Sequence, residues 1–167
     1  MGITLVLDAN VWFDLQLAPA LMARVFEFDV HLVIPDLLAS ELRSVPVASL
    51  KSKGLEVISL DPPEVADLIR IRSKEPQLSV QDVSVFIVAK KLHAVLVTGD
   101  EALRKFSEHA KVEVHGTLWL LEQMEKSGVA SPQELLDGLR TMRARGRRLP
   151  RVETDRLIKR WRASIVR

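Results

Sequence analysis

The chain of 167 residues contains no cysteine. Disulfides and thiolate metal sites are thereby excluded, and a reducing cytoplasm suits it. Long apolar runs are missing too, the longest extending only from Val85 to Ala89. A bilayer span needs roughly 18 such residues, so the sequence reads as a soluble, cytoplasmic protein with no membrane contact. Aromatic residues make up 5% and tyrosine is absent, so base stacking has no obvious carrier. The glycines nowhere form the G-x-G-x-x-G fingerprint of a dinucleotide site. His31, His93, His109 and His115 show neither HExxH nor a comparable ligand pair, and they read as ordinary core or surface residues.

What is present is an apolar share of 47%, enough for one globular domain of this length. The net charge of +2 conceals an asymmetry. From Arg140 to Arg167, eleven Arg and Lys face two acids, whereas the first 139 positions carry thirteen basic and twenty acidic residues. An acidic body with a basic tail suits an anionic partner, although such a run also serves as plain solvated surface.

Short β-branched runs alternate with helical patterns. Strands are predicted at Ile3–Leu7, His31–Ile34, Leu55–Leu60, Ala94–Thr98 and Val112–His115. Helices are predicted at about Asn10–Phe28 with a break near Pro19, then at Pro35–Arg43, Pro62–Lys74, Val80–Leu92 and Glu101–His109. Three more follow at Thr117–Ser127, Pro132–Arg145 and Glu153–Val166. This alternation implies a three-layer α/β/α sandwich with a mainly parallel central sheet and a C-terminal helical extension. Gly146 and Pro150 in "RARGRRLPR" separate a compact domain, residues 1–145, from a basic helical tail, residues 146–167, which is not an independent domain. Leu157, Ile158, Trp161 and Ile165 form an apolar stripe in that tail. The stripe docks the helix on the body or on a sister subunit, as in a homodimer. The other reading makes the tail a clamp on RNA phosphates.

In sheets of this kind, ligands bind beyond the carboxyl ends of the strands, where strand order reverses. Asp8, in "TLVLDANVWFDL", ends the first strand, and Asp100, in "AVLVTGDEAL", ends the fourth. Asp82 lies in the first turn of the helix leading into that fourth strand. Glu41, in "IPDLLASELRS", lies on the helix after the second strand. Strands 1 and 4 as neighbours would bring these acids to one crevice. Each acid also has a plainer reading. Asp8 and Asp100 serve as N-caps worth about 1 kcal/mol each. Ser79 and Asp82 form a capping box, and Glu41 faces water beside Arg43. Those readings leave unexplained why two strand ends and two helices all carry carboxylates toward one edge. Two carboxylates about 5 Å apart repel by roughly 3 kcal/mol at an effective dielectric near 20. Several together call for a cation or for protonation. An oxygen-only donor set favours Mg²⁺ or Mn²⁺ over Zn²⁺, and such an ion is suited to phosphodiester hydrolysis. Asn10 and Thr98 either position the acids and a water or cap the same turns.

These stretches resemble the PIN-domain ribonucleases, especially the toxin nucleases of bacterial and archaeal toxin–antitoxin pairs. The likeness is carried by "LVLDAN", by "IPDLLASELRS", and by "LSVQDVSVFIVAKKLHAVLVTGDEALRKF" with its Asp-to-Asp spacing of 18. It spans about residues 1–127. The resemblance implies a PIN-like fold and a metal-dependent endoribonuclease, with Asp8, Glu41, Asp82 and Asp100 holding Mg²⁺ or Mn²⁺ and RNA as the substrate. It casts Asn10 and Thr98 as accessory polar positions and implies an antitoxin protein as partner. Asp36 competes with Glu41 for the helix acid, and Arg104 and Lys105 stand beside the site as candidate RNA contacts. Trp12, Phe13, Leu15, Leu17, Leu21 and Met22 follow Asp8, and in the toxin family nearby surfaces receive the antitoxin.

Other architectures fit less well. A haloacid-dehalogenase-type phosphatase needs Asp-x-Asp where this chain has Asp8-Ala9-Asn10. A response-regulator receiver needs a lysine after strand 5, and "HGT" stands there. The alternative from a different class is a non-catalytic RNA- or protein-binding module on the same fold.

Overall fold

The run Ile3–Leu7 forms the central strand, and its Leu5, Val6 and Leu7 are wholly buried. Burial of successive residues means that both faces are covered, as expected of a parallel sheet between helical layers. The computed structural model describes residues 2–167. Its strands are β1 (Ile3–Leu7), β2 (Val30–Pro35), β3 (Glu56–Ile58), β4 (Val95–Val97) and β5 (Val114–His115), all parallel in the order β3-β2-β1-β4-β5. The chain builds outward from β1 to β3, then crosses back to lay β4 on the other side of β1. The carboxyl ends of β1 and β4 therefore flank the point where strand order reverses. Leu7 pairs with Val97 there.

The helices are α1 (Ala9–Gln16), α2 (Pro19–Arg24), α3 (Asp36–Ala39), α4 (Val47–Ser52), α5 (Pro62–Lys74), α6 (Val80–Lys91), α7 (Glu101–His109), α8 (Thr117–Lys126), α9 (Pro132–Ala144) and α10 (Arg151–Ile165). One group centres on α6, which packs on β1, β2 and β4 and also touches α3, α5 and α7. That central place explains its sequence, because Val83 through Ala89 are buried without a break. The other group joins α1 to α2, α2 to α9, and α9 to both α8 and α10. Capping boxes start three helices: Asp61 with Glu64 at α5, Ser79 with Asp82 at α6, and Ser131 with Glu134 at α9. Each supplies two otherwise orphaned N–H groups with partners.

The tail helix lays its stripe on the body, with Leu157 and Trp161 wholly buried against the α9 side. Ile165, the last member of that stripe, remains 41% exposed. Among the described residues no helix is long and apolar enough to cross a membrane.

Two local expectations change. The helix expected over Pro35–Arg43 ends at Ala39. Ser40 turns its hydroxyl back onto the Leu37 carbonyl, and Glu41 and Leu42 donate to carbonyls three residues earlier. Side-chain back-bonding of this kind competes with helix propagation. Glu41 consequently sits in an exposed turn rather than on a helix. After Pro46 the chain forms α4, a helix absent from the sequence reading.

Candidate active site

Asp8 leaves the sheet where β1 ends, and its backbone N–H donates to the Val97 carbonyl at 2.9 Å. The two central strands are thus tied together at the carboxyl edge. The side chain is 3% exposed. Its Oδ1 accepts the Ala9 N–H at 2.7 Å, capping α1, and its Oδ2 accepts the Thr98 hydroxyl at 2.8 Å. Thr98 is wholly buried and works in both directions, since its Oγ1 also accepts the Asp100 N–H at 3.0 Å. One hydroxyl therefore fixes the ends of both strands relative to each other. Asp100 in turn caps α7, its Oδ1 accepting the Leu103 N–H at 2.7 Å.

Asp82 begins α6 and accepts the Ser79 N–H at 2.7 Å through Oδ2. Glu41 arrives from the turn after α3 and is held by the side-chain amide of Gln81, next to Asp82 in the chain. Asp36, the competing acid on α3, bonds instead to the Ser59 hydroxyl and the Leu37 N–H. Asn10 is exposed on the first turn of α1.

Burial pushes the Asp8 carboxyl up from 3.8 to about 6. The hydrogen bonds from Thr98 and Ala9 oppose the shift, while the carboxylates of Asp82 and Asp100 add to it. Three aspartates from three elements thus share one electrostatic neighbourhood, and the anion at its centre is the least comfortable. Their chemistry fits a hard divalent cation, which replaces lost hydration with opposite charge and accepts oxygen donors alone. Asp82 Oδ1 and Asp100 Oδ2 accept no hydrogen bond among the described residues, so each keeps a donor atom in hand. As placed, no three acids stand close enough to hold one ion among the described residues. The caps on α6 and α7 and the Gln81 contact orient the carboxylates along their own elements instead.

Asp14 escaped the sequence reading. It lies one and a half turns beyond Asp8, is 5% exposed, and accepts the Thr117 hydroxyl at 2.7 Å and the Arg147 Nε at 2.6 Å. Arg147 also donates to the Asn10 carbonyl at 3.2 Å and lies over the Phe13 ring at 6.0 Å. The available signal was a single acid within the apolar helix "NVWFDLQL", because a charge on a core face needs a partner.

This network pins the 146–150 segment along a cleft of about 1130 Å³ that reaches Asp100. The cleft is walled by Thr98, Asp100, Arg104, Trp119, Arg147 and Arg148 among others. Arg104 donates to the Thr98 carbonyl at 3.1 Å on its floor. Lys105 faces elsewhere, paired with Glu101 at 2.7 Å beside a second groove on the far side of α7. Of the apolar residues after Asp8, Trp12, Leu15, Leu21 and Met22 are buried, while Phe13 and Leu17 are half-buried.

None of the curated proteins matches the chain. Among solved structures, the crystal structure of PAE2754 from Pyrobaculum aerophilum superposes with a TM-score of 0.51 at 22% identity, covering 75% of this chain and 99% of that one. At that identity the likeness shows a shared fold. A family profile described as a PIN domain (DUF3368) matches residues 4–163, nearly the whole chain and most of its tail. The chain belongs to the PIN-domain family, a family of nucleases.

Proposed function

We propose that the protein is a metal-dependent endoribonuclease whose site is built from Asp8, Asp82, Asp100 and Glu41. The observation that carries this reading is the buried Asp8 carboxylate at the strand-order reversal, joined through Thr98 to Asp100 and crowded by Asp82. The three aspartates would hold Mg²⁺ or Mn²⁺, and Glu41 completes the set from the opposite turn. A bound ion of this kind lowers the pKa of a coordinated water, aligns it and offsets charge on the phosphoryl oxygens. Thr98 keeps Asp8 Oδ2 and the Asp100 backbone in fixed relation, so the two strand ends present their acids together. Glu41, tethered by Gln81, orients the attacking water. Asn10 presents a polar side chain at the mouth of the cleft, and Arg104 stands one turn beyond Asp100 to receive a phosphate.

The test compares RNA cleavage by the wild-type chain, Asp82→Asn and Asp100→Asn in Mg²⁺ and in Mn²⁺. Loss of cleavage in both variants is expected, and equal activity in all three would sink the assignment. Added Mg²⁺ should also raise the melting temperature, because an ion that binds only the folded state stabilises it.

A second reading, a non-catalytic RNA- or protein-binding module on the PIN fold, is favoured by one observation. No three acids stand within holding distance of one ion among the described residues. RNA binding without metal-dependent cleavage would select it. The toxin role and an antitoxin partner are supported by the family resemblance. A small neighbouring reading frame encoding a DNA-binding or short acidic protein is the expected sign of them.

A further inference from the structure

The cleft beside Asp100 contains a feature that phosphodiester hydrolysis alone does not require. Trp119, on the first turn of α8, lines it and is half-buried. Its ring stacks on His115 with centroids 4.2 Å apart and planes 5° from parallel. The imidazole is itself tethered to Glu113 at 2.9 Å. One face of the indole is therefore occupied by the imidazole at the end of β5, and its residue borders the cleft. Opposite it runs the 146–150 segment, pinned by the bonds from Arg147 to Asp14 and Asn10. Arg147 is spent on that anchorage, and Arg156 faces Glu122 at 3.6 Å. Arg148 has no acidic partner among the described residues, yet it too lines the cleft.

An aromatic ring stacked on an imidazole, an unpaired guanidinium and the Asp100 carboxylate in one cleft make up the parts of a single-strand nucleic-acid seat. Every base has a π-face to stack, and the phosphate next to it needs a cation. A duplex offers no such face, because its bases are already stacked on one another.

We propose that the cleft seats one unstacked base of the RNA beside the scissile phosphate, with Trp119 as its stacking platform and Arg148 as the cation on its phosphate. This rests on the endoribonuclease reading and adds to it the two residues of this chain that hold the strand.

The structure supplies its own reporter. Of the three tryptophans, Trp12 and Trp161 are wholly buried, so acrylamide quenching of the wild-type chain reads Trp119 alone. A labelled single-stranded RNA oligonucleotide in EDTA, where hydrolysis is stopped, should quench Trp119 and shield it from acrylamide. By fluorescence anisotropy, Trp119→Ala should bind that RNA about 5- to 150-fold more weakly, the range set by one lost base stack. Trp119→Phe should restore most of the affinity. Arg148→Ala should lower the slope of log K against log salt by about 0.7, the share of one single-strand phosphate. Blunt duplex RNA should leave Trp119 open to acrylamide. RNA that binds and is cleaved by the wild-type chain while Trp119 stays as open to acrylamide as in the free protein overturns the seat and leaves the nuclease reading intact. A wild-type chain that neither binds nor cleaves RNA overturns both.

Discussion

Replacing Asp8 by Asn in the metal-free protein probes the electrostatics of the sheet edge most directly. In the folded chain the Asp8 carboxyl is raised from 3.8 to about 6, chiefly by burial. Each pKa unit corresponds to about 1.4 kcal/mol, so ionising this group costs about 3 kcal/mol more in the folded state than in the unfolded one. Between those two values the folded chain keeps a proton that the unfolded chain has released. The contribution to stability is therefore complete below about pH 4 and is lost as pH rises through about 6. Asp8→Asn stays neutral throughout. It remains a competent cap for α1, since Asn serves as well as Asp there. Its amide can donate to Thr98 Oγ1, but one charged acceptor is gone, at a cost of about 1 kcal/mol. The variant should then exceed wild type by about 2 kcal/mol near pH 8 and fall slightly below it near pH 4. Urea unfolding in EDTA at the two pH values measures this. Other titrating groups are common to both chains and cancel in the difference. Glu134, held below its ordinary range by the Ser131 N–H and Arg24, is one of them. An identical difference at both pH values would refute the reasoning, because Asp8 would then titrate as an ordinary carboxyl.

Three further substitutions test the packing around the site. Thr98→Val removes the hydroxyl shared by Asp8 and the Asp100 N–H, and leaving two buried polar groups without a partner should cost about 2–3 kcal/mol in urea unfolding. A loss below about 0.5 kcal/mol would mean that water takes its place. Asp14→Ala strips Arg147 and Thr117 of their shared partner, and with Arg147 half-buried the expected loss is about 2 kcal/mol. Trypsin should then cut faster between Arg145 and Arg148, whereas an unchanged rate would show that the segment is anchored elsewhere. Gly138→Ala would place a Cβ 2.4 Å from Leu21 Cδ1 and 3.2 Å from Ala18 Cβ, where α9 crosses α2. Overpacking of about 1–3 kcal/mol should outweigh a helix-propensity gain of about 1 kcal/mol. A raised melting temperature would mean that Leu21 swings clear.

Much of this molecule was legible locally. β1, α5 and α7 have the bounds that their end signals suggested: Asp61-Pro62 before one helix and Asp100 before the other. Caps are chemistry between residues three apart, so the sequence displays them directly. The parallel sheet followed from the alternation of elements, whereas the meeting of Asp8 with Asp100 depended on strands 1 and 4 being neighbours, which the strand order supplies. Where the reading failed, the deciding contact was weak or remote. One serine back-bond shortened α3 and moved Glu41 off its helix. The Asp14–Arg147 pair spans 133 positions, and nothing in the local pattern of either residue names the other. The Trp119–His115 stack was hidden by composition, since a low aromatic content says nothing about where one tryptophan stands relative to a histidine.

The basic tail shows why charge must be counted in place. As a sequence, the eleven cations from Arg140 onward suggested either a docked helix or a phosphate clamp, as if one excluded the other. In the fold the docking stripe and the unpaired cations are separate sets of residues. Leu157, Ile158 and Trp161 bury one face of α10 against the body. Arg143 and Asp155 pair across the α9–α10 junction, and Arg156 and Arg160 are drawn to Glu122 and Glu125 on α8. Those cations serve the docking and are largely neutralised. Arg145, Arg148, Arg151, Lys159 and Arg162 have no acidic partner among the described residues, and the apolar face of α10 holds its own three in a fixed orientation. Burial of the stripe is thus what gives the remaining charge a position. Arg148 gains most from this, because the segment that carries it is fixed at one end by Asp14 and at the other by the docked helix. A flexible tail with the same charge could contact phosphate anywhere, whereas this one presents its free guanidinium at the cleft that Asp100 and Trp119 share.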